Sequence, residues 1–337
     1  MALAGNFQTK QNIDIVWGSG NANLGTAHIA GSNWLRPKTL DFTMPEASTA
    51  LEMGSPQNNL GVEVEDNAVH RLDTATWTFT QSVIAEDEVI KAIFKNFMAD
   101  DTSPFALTGA LGLDGSGGFS LDHGSATTIP NTVLFQNGGP SSSQVDMIVA
   151  GCFMQSVTFK MDPSSNGGQL VADITWWTSH VPVNGSLTPS SITDGGDESA
   201  NIFNIAATGC SVDSQHLMLL GWDLALSKTL ARAGWQEGTS STPWGICQTG
   251  VTEVTGNLTA KRDDNTYALA DHLLGDSAGV ALSLTFANPT FTVTCAKTLI
   301  NASAIDAGGE YLYCTLPFRA VAEDSSRTAD VLSVTSA

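Results

Sequence analysis

Short apolar runs interleaved with Ser and Thr dominate the chain, and their period of two marks strands with one face turned to a core. In Phe153–Met161 the residues Phe153, Val157, Phe159 and Met161 fall on one face with Gln155, and Ser156, Thr158 and Lys160 on the other. Leu170, Ala172, Ile174 and Trp176 repeat the pattern after the turn-rich Asp162-Pro163-Ser164-Ser165-Asn166-Gly167-Gly168, which predicts a hairpin. Leu282, Leu284 and Phe286 alternate with Ser283 and Thr285, and Asn288-Pro289 turns the chain into Phe291–Cys295, a second hairpin. Two segments change to a helical period. Val89, Ile90, Ile93, Phe94 and Phe97 form one apolar stripe over Glu86–Met98, with Glu86-Asp87-Glu88 at the positive end of the helix dipole. Tyr267, Ala270, Leu273 and Leu274 form another over Asp264–Leu274, with Asp264 as N-cap and Gly275 as the stop.

These signals occur twice in the same order. Leu40–Met44 leads to Trp77–Thr80 and the first helix, and Trp222–Leu226 leads to Gly256–Thr259 and the second. Laying Thr80 on Thr259 brings Phe79 onto Leu258, Ile90 onto Leu269 and Phe94 onto Leu273 without a gap, and Asp41 onto Asp223 with a three-residue gap. After the first helix come Phe105-Ala106-Leu107, Met147–Met161 and Leu170–Trp177; after the second come Val280–Phe286, Phe291–Thr298 and Tyr311–Phe318. This order predicts a tandem duplication. The expected fold is mainly β, with two tandem β-sandwich or barrel domains, each flanked by one α-helix. The boundaries read as an N-terminal arm over 1–33, a first domain over 34–180 with a surface loop insertion at 108–140, a linker over 181–200, a second domain over 201–320 and a C-terminal tail over 321–337.

Composition supports a turn-rich β protein: of 337 residues only 14% are charged and 32 are glycine. The 14 Lys and Arg against 34 Asp and Glu give a net charge of −20. The densest basic stretches are Arg36-Pro37-Lys38 and Lys261-Arg262, too sparse for a surface that grips phosphates. An acidic protein repels DNA, which taken alone speaks first for solubility in a salty medium and also suits a wall past which DNA slides. The five cysteines, Cys152, Cys210, Cys247, Cys295 and Cys314, form no C-x-x-C pair and read as buried, reduced thiols. Met1–Asp14 lacks the pattern of a signal peptide, no run is long enough for a membrane span, and the sequons at Asn184, Asn257 and Asn301 carry little weight for that reason.

Candidate chemistry is thin, and the expected catalytic, cofactor and metal residues are none. Gly275-Asp276-Ser277-Ala278-Gly279 matches G-x-S-x-G, with Asp271 and His272 upstream, but a nucleophile elbow needs a strand before it and a helix after it. Here a helix precedes and a strand follows, so the pentapeptide reads as a connector. His28, His70, His123, His180, His216 and His272 are scattered without metal-ligand spacing. Asp194, Asp197 and Glu198 lack the calcium-loop pattern and read as solvated linker charge. Trp176-Trp177, Trp222, Trp235 and Trp244 raise the question of sugar stacking. Adjacent tryptophans on a strand face opposite ways, so the second of the pair is expected to need cover from a neighbouring domain or subunit.

Alternating strands around one amphipathic helix, given twice and without a catalytic set, resemble the tail tube proteins of phages with long, flexible tails. The likeness runs from about Leu35 to Ala320 and rests on Trp77–Met98, on Ala150–Phe159 with Leu170–Trp177, and on Gly309–Phe318. The resemblance implies sandwich or barrel domains whose inner sheets join into a ring around a channel, the rings stacking into the conduit for DNA ejection. It implies a virion protein of the tail, assembled in the host cytoplasm. Its implied partners are further copies of itself and other tail proteins such as the tape measure, terminator and distal tail proteins; DNA passes without specific binding, and no membrane is involved. Many such proteins have one domain and form hexamers, whereas a duplicated chain predicts a trimer with pseudo-sixfold symmetry. The alternatives are a carbohydrate-binding, receptor-binding or baseplate β-sandwich, which predicts an exposed aromatic platform, and a serine esterase acting through Ser277.

Overall fold

The structure is a computed structural model and describes residues 13–21, 34–47, 52–53, 68–69, 76–98, 109–114, 120–122, 127–137, 146–162, 168–185, 187–189, 191–195, 205–232, 245–264, 266, 279–287, 290–300, 304–306, 312–322 and 330–336. The fold is mainly β with one described helix, Asp87–Met98. Thr39–Phe42 and Glu46–Ala47 pair with Trp77–Ile84, Trp77–Ile84 with Val171–Thr178, and Val171–Thr178 with Asp146–Met161, all antiparallel. The second half repeats this order. Leu219–Ser227 pairs with Glu253–Lys261, Glu253–Lys261 with Tyr313–Ala320, and Tyr313–Ala320 with the end of Thr290–Ile300 and with Ala304–Asp306.

The register repeats as well. Phe42 stands opposite Gln81 and Leu219 opposite Ala260; Glu46 opposite Thr78 and Asp223 opposite Asn257. Thr80 stands opposite Thr175 and Thr259 opposite Thr315; Ser156 opposite Thr175 and Ala304 opposite Thr315. With Thr80 laid on Thr259, all these pairs superpose. The ladder therefore corrects one expected match: Asp223 corresponds to Glu46, and Asp41, opposite Ser82, lies further along its strand. A shared aspartate suggested the gap, but cross-strand pairing sets the register.

The two strand sets are joined edge to edge, since Ser156–Met161 pairs antiparallel with Trp222–Ser227. Eight strands thus lie side by side in one antiparallel layer. A second layer covers their apolar face. It contains Ile13–Asn21, Thr127–Asn137 and the start of Asp146–Met161 in one half, and Ile205–Val212, Val280–Ala287, Thr290–Ile300 and Asp330–Ser336 in the other. Asp146–Met161 crosses between layers at a bulge, where the register shifts between Met154 and Ser156. Groups on either side of the bulge find partners from outside the strand: Asn96 Oδ1 accepts from the Met154 amide at 2.8 Å, and Gln155 C=O accepts from the Lys228 amide at 2.9 Å.

The helix packs against both layers with Val89, Ile90, Ile93, Phe94 and Phe97 buried, as the stripe predicted, and Phe94 stacks on Phe159 at 5.3 Å. Of the second predicted helix, Asp264 and Thr266 are helical and the rest lies outside the described residues. Its cap is Asp263 rather than Asp264: Asp263 Oδ1 accepts from the Thr266 amide at 3.1 Å, and Thr266 Oγ1 accepts from the Asp263 amide at 2.8 Å. Both predicted hairpins are present.

Four connecting segments hold more structure than expected. Within 1–33, Ile13–Asn21 is a strand with Ile15, Val16 and Trp17 buried. Within 108–140, Thr127–Asn137 is a core strand, and it rather than Phe105–Leu107 occupies the place of Val280–Ala287. Within 181–200, Val183–Gly185 pairs with Asp146–Ile148 and Ile192–Asp194 runs parallel to Trp34–Arg36. Within 321–337, Asp330–Ser336 is a strand between Phe291–Thr294 and Gly109–Asp114, with Val331, Leu332 and Val334 buried.

Candidate assembly surface

Alternation along the eight-stranded layer sends Phe79, Val157, Phe159, Ile174, Leu224, Leu226, Val254, Leu258, Leu316 and Phe318 into the core. The other face carries Thr78, Thr80, Ser82, Asp173, Thr175, Ser156, Thr158, Lys160, Asp223, Thr255, Asn257, Thr259 and Thr315, exposed or half-buried. Part of it forms a shallow concavity of about 390 Å³ lined by Asp41, Thr80, Ser82, Ser156, Thr158, Lys160, Asp173 and Thr175. The strands of the layer carry Asp41, Glu46, Asp173, Asp223, Glu253 and Asp306 against Lys160, Lys261 and Arg319, six against three, a small part of the chain's net −20. Several are also tied down. Lys160 Nζ lies 2.6 Å from Asp173, Arg319 Nη2 lies 2.8 Å from Glu253, and Asn257 Nδ2 donates to Asp223 at 2.9 Å. A hydroxyl-rich face with paired charges holds a polyanion neither by attraction nor by strong repulsion.

The intrachain joint carries a buried lysine. Lys228 follows the paired strand Trp222–Ser227, and its Nζ donates to the Phe97 carbonyl at 2.7 Å and lies 4.7 Å from the centre of the Phe97 ring. The carbonyl end of the helix favours a cation, but burial pushes the amine down to about 7. Between about 7 and the ordinary 10.5 the unfolded chain holds a proton that the folded chain has released, so this group adds stability as pH rises through that window. Below about 7 both states are charged and its penalty is constant. The stability of the native chain minus that of a Lys228→Met variant is therefore expected to be flat below pH 7 and to rise above it by at most about 1.4 kcal/mol per pH unit. Urea midpoints at pH 6, 8 and 9.5 check this, and a flat difference throughout contradicts it.

The other singled-out residues are dispersed. His180 is buried, its ring packs against the positive-φ Gly151, and burial lowers it to about 4. His216 is exposed, and the remaining histidines lie outside the described residues. Asp194 is exposed and lies 3.3 Å from Arg36; Asp197 and Glu198 lie outside the described residues, among which no group of three metal-ligating side chains occurs. Ser277, Asp271 and His272 also lie outside them. Gly279 is described, with φ +66°. Trp176 and Trp177 are both buried within the chain, so neither needs a second subunit for cover. Trp222 is buried too, and Trp235 and Trp244 lie outside the described residues. All five cysteines are free thiols, with Cys247 half-buried and the other four buried; burial raises Cys210 and Cys295 to about 12. Among the described residues no helix is long and apolar enough to cross a membrane.

Sequence reasoning found the polar face as the second half of the alternation, but it missed the joint, because no local pattern announces which strands pair across the 61 to 71 residues that separate Ser156–Met161 from their partners. No protein-family model matches the chain, and no curated protein is detectably similar to it.

Proposed function

We propose that this chain is a structural protein of a phage tail, built of two tandem tube-like β-sandwich domains and assembling into stacked rings that form the tail tube. The observation that carries this reading is the repeated strand order and register, joined through paired edges into one layer with a polar, hydroxyl-rich face. A layer that already continues from one unit to the next extends by the same pairing, and closure into a ring removes the open edges that would otherwise aggregate. Three chains supply six units and twenty-four strands; at about 4.8 Å per strand the backbone ring is about 37 Å across before tilt widens it. Inward side chains leave a bore that admits a nucleic-acid duplex. DNA then slides past threonines and paired charges, and most of the excess acid of the chain lies away from the lining. Virion localisation, the other tail proteins as partners and the absence of catalysis belong to the same proposal.

Electron microscopy of negatively stained protein at rising concentration tests it. Rings or filaments of constant bore are expected, with the mass of three chains per ring by mass photometry; a monomer at every concentration overturns the reading. A sugar-binding sandwich gains no support, since every described tryptophan is buried.

A further inference from the structure

We infer that the joint inside the chain is the template for the joint between chains, so that the strand edge at Ala304–Asp306 of one copy lies antiparallel against the strand edge at Glu46–Ala47 of the next, with Asp306 diagonally across from Glu46; this rests on the tube reading and names its contact. Inside the chain, Ser156 stands opposite Ser227, Thr158 opposite Ala225 and Lys160 opposite Asp223. Ala304 holds the register position of Ser156, since they face Thr315 and Thr175, and Asp306 holds that of Thr158, since they face Tyr313 and Asp173. Glu46 holds that of Asp223. The equivalents of the joined strands are therefore the first and last strands of the layer. Glu46–Ala47 pairs on one side with Trp77–Thr78 and Ala304–Asp306 on one side with Tyr313–Thr315, and neither has a second strand neighbour among the described residues. Direction also agrees, because eight alternating strands leave the first and last antiparallel.

The two kinds of joint are unequal. The intrachain joint is clasped: Gly109–Asp114, from the first half, pairs with Asp330–Ser336, Ser120–Asp122 pairs with Gly245–Cys247, and Lys228 binds the end of the helix. The clasp comes from the stretch between Met98 and Thr127, 28 residues, whereas only 13 separate Thr266 from Val280. The second unit has no length for a matching clasp, so the chain-to-chain joint depends on edge pairing, and the ring opens there.

Thr158 and Asp223 stand diagonally across the intrachain joint, and such pairs are about 7–8 Å apart. Asp306 and Glu46 take those positions between chains. A Cys247→Ser background leaves only buried native thiols, and in it the Glu46→Cys, Asp306→Cys double variant is assembled and treated with a short bismaleimide. Denaturing electrophoresis is expected to show one, two and three linked chains and nothing larger, while each single-cysteine variant stays unlinked. Rings that assemble but give no linked chains overturn the joint and leave the tube reading standing. A wild-type chain that never assembles overturns both, and linked species beyond three overturn the three-chain ring.

Discussion

Replacing Gln81 with Leu is expected to lower the unfolding free energy by roughly 3 kcal/mol, because it strands two buried indole donors that each cost about 1–3 kcal/mol unpaired. Gln81 is only 1% exposed in the middle of Trp77–Ile84. Its Oε1 accepts from Trp17 Nε1 at 2.9 Å and from Trp176 Nε1 at 3.2 Å, and its Nε2 donates to Thr39 Oγ1 at 2.8 Å. The same three residues anchor the N-terminal strand to the core, where Trp17 meets Trp176 edge-on at 5.3 Å and Trp176 stacks on Phe79 at 6.0 Å. Leu fills a similar volume, so the loss isolates the missing acceptor from any cavity. A fall in the urea midpoint at unchanged slope measures it. Adding Trp17→Phe removes one stranded donor, so the double variant is expected to lose less than the sum of the two single losses. Additive losses, or a single loss below about 1 kcal/mol, would mean that Gln81 is not the acceptor on which these indoles depend.

Elements with a local signature were legible in the sequence. The helix announced itself by the stripe from Val89 to Phe97, and the hairpins by alternation around turn-rich linkers. Ile13–Asn21 was not, because Ile15, Val16 and Trp17 are all buried and a strand buried on both faces shows no alternation. Its partner Thr127–Asn137 contains Pro130 and lies between long stretches rich in Gly and Ser, so its apolar part, Val133 to Phe135, gave too short a run. Asp330–Ser336 was lost to its polar neighbours, although Val331, Leu332 and Val334 are buried. The candidate surface was half legible: alternation gave its polar positions, while the pairing of Ser156–Met161 with Trp222–Ser227 is long-range and has no local code. The two units also share few identities although their ladders agree, and the core shows one reason. Trp77 stands opposite Thr178, and at the equivalent ladder positions Gly256 stands opposite Phe318. Large-with-small in one unit becomes small-with-large in the other, which preserves volume while erasing similarity.

That exchange makes Gly256→Ala the second substitution with a large expected cost, about 3 kcal/mol. A Cβ at Gly256 collides with the carbonyl oxygen of Asp223 and comes within 2.7 Å of the Phe318 ring. The carbonyl belongs to the ladder that pairs Asp223 with Asn257, so it cannot turn aside without disturbing strand pairing, whereas the ring can be shortened. Phe318→Ala alone is expected to lose about 3–5 kcal/mol through the cavity it leaves. The double variant relieves the ring contact but not the carbonyl, so its loss should fall short of the sum by at least about 1 kcal/mol. The reciprocal experiment is in the first unit, where Trp77→Gly empties a site that is 7% exposed. Adding Thr178→Phe recreates the arrangement of the second unit and is expected to recover part of the stability lost in Trp77→Gly. If Thr178→Phe instead deepens that loss, the two pairs do not fill equivalent space, and the equivalence that relates the intrachain joint to the chain-to-chain joint fails at its best-packed point.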